Sequence, residues 1–206
     1  LFIAIQGKHH DAHGYIPELR QRGVRAFLVR QGTVKADAES SVIEVADTLL
    51  ALQSLAAWHR AQFSIPVVGI TGSNGKTVVK EWLYELLHAD EHIVRSPGSW
   101  NSQVGVPLSV WEMNGTHTLG LFEAGISEPG EMQALAAIIA PTLGIFTNIG
   151  PAHSGNFTSD HAKAEEKAKL FAHADAVVYC REHEVVHEAL SALQGPVLRP
   201  WSRSTD

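Results

Sequence analysis

The sequence predicts an α/β protein whose mostly parallel sheet is flanked by helices. Three observations predict it. Short apolar runs alternate with longer helical patterns, the later runs look buried on both faces, and one run passes through a glycine-punctuated turn into a helix. Leu1–Ile5 is the first strand-like run and Ala26–Val29 the second, with a helix over Ile16–Arg22 between them and Gly23 as its C-cap. Val42–Val45 follows as a third strand, and Asp47 offers an N-cap for the apolar-periodic segment Thr48–Ala61. Ser64-Ile65-Pro66 breaks that helix, dividing a smaller first domain (1–64) from a larger second one (65–206).

From residue 67 the alternation is regular. Strands are expected at Val67–Ile70, His92–Arg95, Leu119–Glu123, Leu143–Thr147 and Ala176–Cys180. Helices are expected at Lys76–His88, Glu131–Ala140, Asp160–Ala172 and Glu184–Leu193. The chain opens inside a strand without an initiator Met and stops without a finishing element, so a piece of a longer protein is expected.

Composition narrows the class. A net charge of −6 argues against a general affinity for nucleic acid or anionic membrane. Cys180 is the only cysteine, which excludes an internal disulfide framework and fits a reducing cytoplasm. No apolar stretch approaches the roughly 18 residues of a membrane span, and no signal-peptide pattern is present.

The chemistry gathers at strand ends, where open parallel sheets bind ligands. Thr71-Gly72-Ser73-Asn74-Gly75-Lys76-Thr77 joins the strand from Val67 to the helix from Lys76. Such a turn directs N–H groups of Gly72, Ser73, Asn74 and Gly75 at an anion; Lys76 can reach β- and γ-phosphates, and the Thr77 hydroxyl can ligate Mg²⁺. Glu123 closes a buried strand beside this loop, where a carboxylate suits either Mg²⁺ or solvent. Asn148 and His153 lie in the loop after Leu143–Thr147, and His153 could hold a metal or a phosphate.

Other features are more ambiguous. On spacing alone, Lys163, Lys167 and Lys169 are expected to be snorkelling surface lysines, although Lys167 borders the apolar face and Lys169 points to water. The amide- and hydroxyl-rich run Ser96–Pro107, with Asn101 and Ser102, could bind a polar substrate or be a solvated connection. The cluster His9-His10-Asp11-Ala12-His13 lacks the spaced ligand pairs of structural zinc sites.

Taken together, these residues resemble the Mur ligase family, and within it the ligases that add D-alanyl-D-alanine to UDP-MurNAc-tripeptide. Leu1–Gly7 and Asp11–Ile16 are similar to an N-terminal UDP-binding domain, with Ala12 where the family usually has Gly. Thr71–Thr77 with Val79-Lys80-Glu81 resembles the family's phosphate loop and helix start. Phe122-Glu123-Ala124-Gly125 resembles the strand bearing a Mg²⁺-binding glutamate, and Asn148–His153 the loop of a metal-binding histidine. Asn101 with Val104-Gly105-Val106-Pro107 is similar to a loop near the UDP-sugar-peptide, and Ser96–Trp111 resembles forms fused to an alanine racemase.

The resemblance implies an ATP-dependent amide ligase of peptidoglycan synthesis that works through an acyl phosphate. It implies Lys76, His153 and Lys167 as catalytic residues, with Lys167, four residues before Phe171, carbamylated. It further implies two Mg²⁺ ions held by Thr77, Glu123, His153 and Lys167, nucleotide contacts from Gly72–Thr77 and Asn148, and sugar-peptide contacts from Asn101 and Ser102. UDP-MurNAc-tripeptide and D-Ala-D-Ala are the implied substrates. The rival readings are another ligase of the superfamily, such as a tripeptide synthetase or folylpolyglutamate synthase, and a P-loop kinase or nucleotide-binding module.

Overall fold

The computed structural model describes residues 1–7, 10–35, 37–150 and 156–203. The chain divides into two compact units, Leu1–Leu55 and Ala56–Asp206. The first holds a parallel sheet of β1 (Phe2–Ile3), β2 (Ala26–Arg30) and β3 (Ser41–Val45), with β2 in the middle. Helix α1 (Ile16–Gln21) follows a 3₁₀ turn at Ala12–Tyr15, which Asp11 caps through the His13 N–H. Its core is Ala4, Ile16, Phe27 and Val29. The residues of the histidine-rich cluster that are described serve local structure: His13 Nδ1 lies 2.5 Å from Asp11, and His10 pairs with the Tyr15 hydroxyl.

Helix α2 (Thr48–Arg60) begins as expected, with Asp47 Oδ1 accepting from Leu49 and Leu50 N–H groups. The boundary between the units falls within α2, earlier than the Ser64–Pro66 break.

The second unit is built on six parallel strands in the order β5-β6-β4-β7-β8-β9. They are β4 (Val67–Thr71), β5 (Ile93–Arg95), β6 (Leu119–Glu123), β7 (Leu143–Phe146), β8 (Ala176–Cys180) and β9 (Val197–Trp201). The expected α/β class with a covered parallel sheet is therefore borne out. Strand residues alternate between two apolar layers, because successive side chains of a strand point to opposite faces. Val68, Ile70, Leu119 and Leu121 meet Val79 and Leu83 of α3 (Lys76–Leu87). On the other face, Val67, Phe122, Phe146 and Val177 join a larger core with α4 (Gly105–Trp111), α5 (Glu131–Ile139), α6 (Asp160–Ala168) and α7 (Glu184–Ser191).

Three expectations need correction. The run Ser96–Pro107 is not all turn, since α4 starts at Gly105. Pro107 falls in its first turn, where the missing N–H has no helical partner to lose. The chain also does have a late strand, β9, which carries Pro200 and pairs only with β8 at the sheet edge. Finally, α6 ends at Ala168 and tightens into a 3₁₀ turn over Lys169–Phe171.

Candidate active site

Strand β4 lies between β6 and β7, although the chain visits β5 before β6. This reversal of direction opens a crevice at the carboxyl end of β4, where the glycine-rich loop sits. Gly72 has φ +139°, and a Cβ there would collide with the Thr147 hydroxyl, so only glycine fits between loop and β7 end. Gly75, at φ +81°, turns the chain into α3. The first N–H groups of α3 lack intrahelical acceptors and open onto a depression of about 290 Å³ lined by Ser73–Val78, Ser99 and Asn101.

Asn148 braces this loop. Its carbonyl accepts from Ser73 N–H at 2.8 Å, its Oδ1 from Asn74 N–H at 3.1 Å, and its Nδ2 donates to the Asn74 carbonyl at 3.3 Å. Ser73 Oγ exchanges hydrogen bonds with Gly150. The side chains of Ser73 and Asn148 thus shape the loop from within. Lys76 folds back over it, Nζ donating to the Gly72 carbonyl at 2.8 Å. Burial lowers the Lys76 pKa, Glu123 opposes that shift, and Lys163 adds to it.

Glu123 ends β6 fully buried. Its Oε2 accepts from Thr77 Oγ1 at 3.0 Å and Asn101 Nδ2 at 3.4 Å. Its Oε1 accepts no hydrogen bond and has the Lys80 ammonium 3.0 Å away as an ion pair. A buried carboxylate oxygen without a hydrogen bond, next to a hydroxyl on a helix N-terminus, is a donor set suited to one Mg²⁺. Among the described residues no group of three or more His, Cys, Asp or Glu could hold a metal. That is no obstacle for Mg²⁺, which takes one or two protein oxygens and fills its shell with water and phosphate.

A cavity of about 330 Å³ adjoins the loop. Gly72, Ser73, Lys76, Asn101, Ser102 and Lys167 are among its lining residues. Ser102 also accepts from Gly105 N–H at 3.1 Å, and the Asn101 carbonyl accepts from Gly125 N–H at 2.8 Å. Lys167 is 3% exposed; burial, and then the nearby Lys76 and Lys163 charges, push its pKa down to about 7.

Lys163 is a correction to the surface reading: it is 1% exposed and donates to the Gly150 carbonyl at 2.6 Å. Lys167 follows it by four positions, so both share the buried face of α6. Lys169 does face water, bonded to Glu166 at 2.5 Å. His153 lies outside the described residues, so the loop it belongs to is traced only to Gly150.

Sequence reasoning missed two residues. Lys80 is wholly buried against Glu123, and its number in Val79-Lys80-Glu81 was the only signal. Glu166 is 5% exposed and accepts from the Gly130 and Met132 N–H groups at 2.8 and 3.2 Å, capping α5 from α6. Nothing in the sequence pairs residues 130 and 166.

Known proteins give this geometry a context. The Mur ligase middle domain family matches residues 70–203. The chain is 38% identical over 180 residues to a UDP-N-acetylmuramoyl-tripeptide–D-alanyl-D-alanine ligase of Treponema pallidum (strain Nichols), covering 83% of this chain and 39% of that one. MurF from Acinetobacter baumannii superposes with a TM-score of 0.84 at 28% identity, over 97% of this chain and 44% of that one. MurF ligase from Thermotoga maritima in complex with ADP gives 0.84 and 28%, over 97% and 47%. The chain therefore spans less than half the length of the relatives it matches.

Proposed function

The chain belongs to the Mur ligase family, and from that premise we propose that it is the nucleotide-binding part of a UDP-MurNAc-tripeptide–D-Ala-D-Ala ligase. The observation that carries the proposal is convergence on Lys76: with Lys167 it lines the cavity, and with Thr77, whose hydroxyl is bonded to Glu123, it lines the adjoining depression at the α3 N-terminus. A relative solved with ADP shares the fold over 97% of this chain.

In this reading residues 65–206 bind ATP, and residues 1–64 hold the UDP-sugar. The terminal carboxylate of the tripeptide attacks the γ-phosphate, giving an acyl phosphate; the D-Ala-D-Ala amine then attacks that carbonyl and phosphate leaves. No protein nucleophile is needed, so the residues act by positioning and by charge. Lys76 leaves the Gly72 carbonyl for the β- and γ-phosphate oxygens. The α3 N-terminus supplies N–H donors to the same anion. Thr77 and Glu123 would hold Mg²⁺, which when bound neutralises phosphate charge. Asn101 and Ser102 reach the sugar-peptide from their side of the cavity.

Lys167 is the residue whose role changes with its chemistry. As an ammonium it repels Lys76 and Lys163 inside a desolvated site. A pKa of about 7 makes the neutral, CO₂-reactive amine abundant at neutral pH. The carbamate formed there is an anion and would hold a second Mg²⁺ together with His153. A cytoplasmic location goes with this reading. Among the described residues no helix is long and apolar enough to cross a membrane, and Cys180 is buried and free.

The test is phosphate release by the full-length protein. It should require both UDP-MurNAc-tripeptide and D-Ala-D-Ala, with neither alone supporting turnover. Equal release with other acceptors, or phosphorylation of a substrate hydroxyl, would replace this reading with another superfamily ligase or a kinase.

A further inference from the structure

Lys80 is 0% exposed on the sheet-facing side of α3, where its neighbours Val79 and Leu83 are apolar. An ammonium there loses its hydration, and an apolar side chain of similar length usually serves packing as well or better. What the charge adds is a junction. Lys80 Nζ donates to the Ser96 carbonyl at 2.7 Å and to the Gly98 carbonyl, and pairs with Glu123 Oε1 at 3.0 Å. Glu81 Oε1 lies 3.1 Å away, and Glu81 is itself paired with Arg95. Two of the Lys80 donors go to the turn after β5 and its charge faces the carboxylate at the end of β6, so one ammonium on α3 ties three segments together.

That turn continues to Asn101, whose side chain reaches Glu123 Oε2 and whose carbonyl accepts from Gly125 N–H at 2.8 Å. The Ser96 hydroxyl accepts from Glu123 N–H at 3.2 Å. The carboxylate and the turn are thus bound to each other at both ends, with the Lys80 ammonium between them. We propose that Lys80 is a positioning residue of the metal–nucleotide site, setting Glu123 and the Ser96–Asn101 turn in one arrangement so that metal and sugar-peptide are presented together. This rests on the reading of the site as a Mg-nucleotide site.

Two variants of the full-length protein test it. K80M keeps the side-chain length and removes the charge; K80Q keeps a donor. Without metal or nucleotide, backbone amides of residues 96–103 and Gly125 should exchange with solvent at least about tenfold faster in K80M, with K80Q intermediate and α5 and β7 unchanged. The Mg²⁺ concentration that half-saturates Mg-dependent nucleotide binding should rise at least about fivefold, while nucleotide binding without Mg²⁺ stays within about twofold. Wild-type exchange at 96–103 together with an unshifted Mg²⁺ midpoint overturns the proposal. So does uniformly faster exchange across the fold, or failure of both variants to fold, since either makes Lys80 a general structural residue. A wild type that binds no nucleotide in Mg²⁺ would instead sink the reading of the site, and the exchange result would stand apart from it.

Discussion

Lys80 and Lys167 are both buried lysines of the larger unit, and their surroundings are opposite. Lys80 meets two carbonyls and two carboxylates, so its charge is matched where it stands. Lys167 lines a cavity, and the charges that bear on it are the cations Lys76 and Lys163. Burial and those two cations drive the pKa of Lys167 down to about 7. A matched charge holds a structure together. A mismatched one has a use only when something arrives: an anionic ligand, or a reaction that removes the positive charge. The two regions therefore divide the work, with one setting the geometry of the crevice and the other keeping it hungry for anions.

The largest effect expected from this contrast is on turnover. Lys76→Ala removes the cation nearest the expected phosphates, and ligation by the full-length protein should fall by about 10²–10³-fold or more with the fold intact. A steady-state assay with a thermal melt as control checks it. Turnover within tenfold of wild type would place the phosphates elsewhere.

Lys167→Met should separate activity from stability. The folded pKa of about 7 lies below the unfolded value of 10.5, so the unfolded chain binds the extra proton between those values. Stability contributed by this group therefore rises with pH from about 7 towards 10.5, and its full penalty is present below pH 7. In CO₂-free buffer the variant should be more stable than wild type by roughly 4 kcal/mol at pH 7, should lose that part of the pH slope, and should be crippled as a ligase. In Lys167→Ala, where the side chain's space is vacated, added short carboxylates should partly restore turnover. Denaturant melts across pH 6–10 measure the first two effects. A Lys167→Met protein less stable than wild type throughout would show that the lysine is matched after all.

How far the sequence reveals this contrast follows from what each residue needs. The phosphate loop is legible because glycines, lysine and threonine occur in an order that few other structures require, and Glu123 because a strand end is a position with a chemistry. Lys80, Lys163 and Glu166 are not. Each sits in a helix of mixed polarity, where a charged side chain ordinarily faces water, and only the neighbouring elements decide otherwise. Lys163 is buried because Gly150 comes within 2.6 Å of it, a contact between loop and helix that no periodicity records. The late strand β9 escapes notice because Arg199 and Pro200 break its apolar pattern, which an edge position tolerates. Helix α4 is hidden by a glycine and a proline that belong to its first turn.

A smaller effect tests the cap on α5. Glu166→Ala leaves the Gly130 and Met132 N–H groups without their acceptor at a helix start where Met132 is buried. A loss of about 2 kcal/mol is expected in urea melts. A loss below about 0.5 kcal/mol would mean water replaces the carboxylate freely.

The smallest effect belongs to Lys169, half exposed and paired with Glu166. Lys169→Ala should change stability by less than about 1 kcal/mol and turnover by less than about twofold. Damage equal to that of Lys167→Met would reverse the assignment of inward and outward lysines on this helix.

The central claim is that the crevice at the end of β4 is short of negative charge until a nucleotide's phosphates supply it. Calorimetric titration of the full-length protein with a non-hydrolysable ATP analogue in Mg²⁺, comparing wild type with Lys76→Ala, tests this most directly. The account predicts saturable binding by wild type, weakened about 100-fold or more in the variant and weakened for both proteins as salt is raised. Equal affinity in the two proteins, or binding indifferent to Lys76 and to salt, would contradict it.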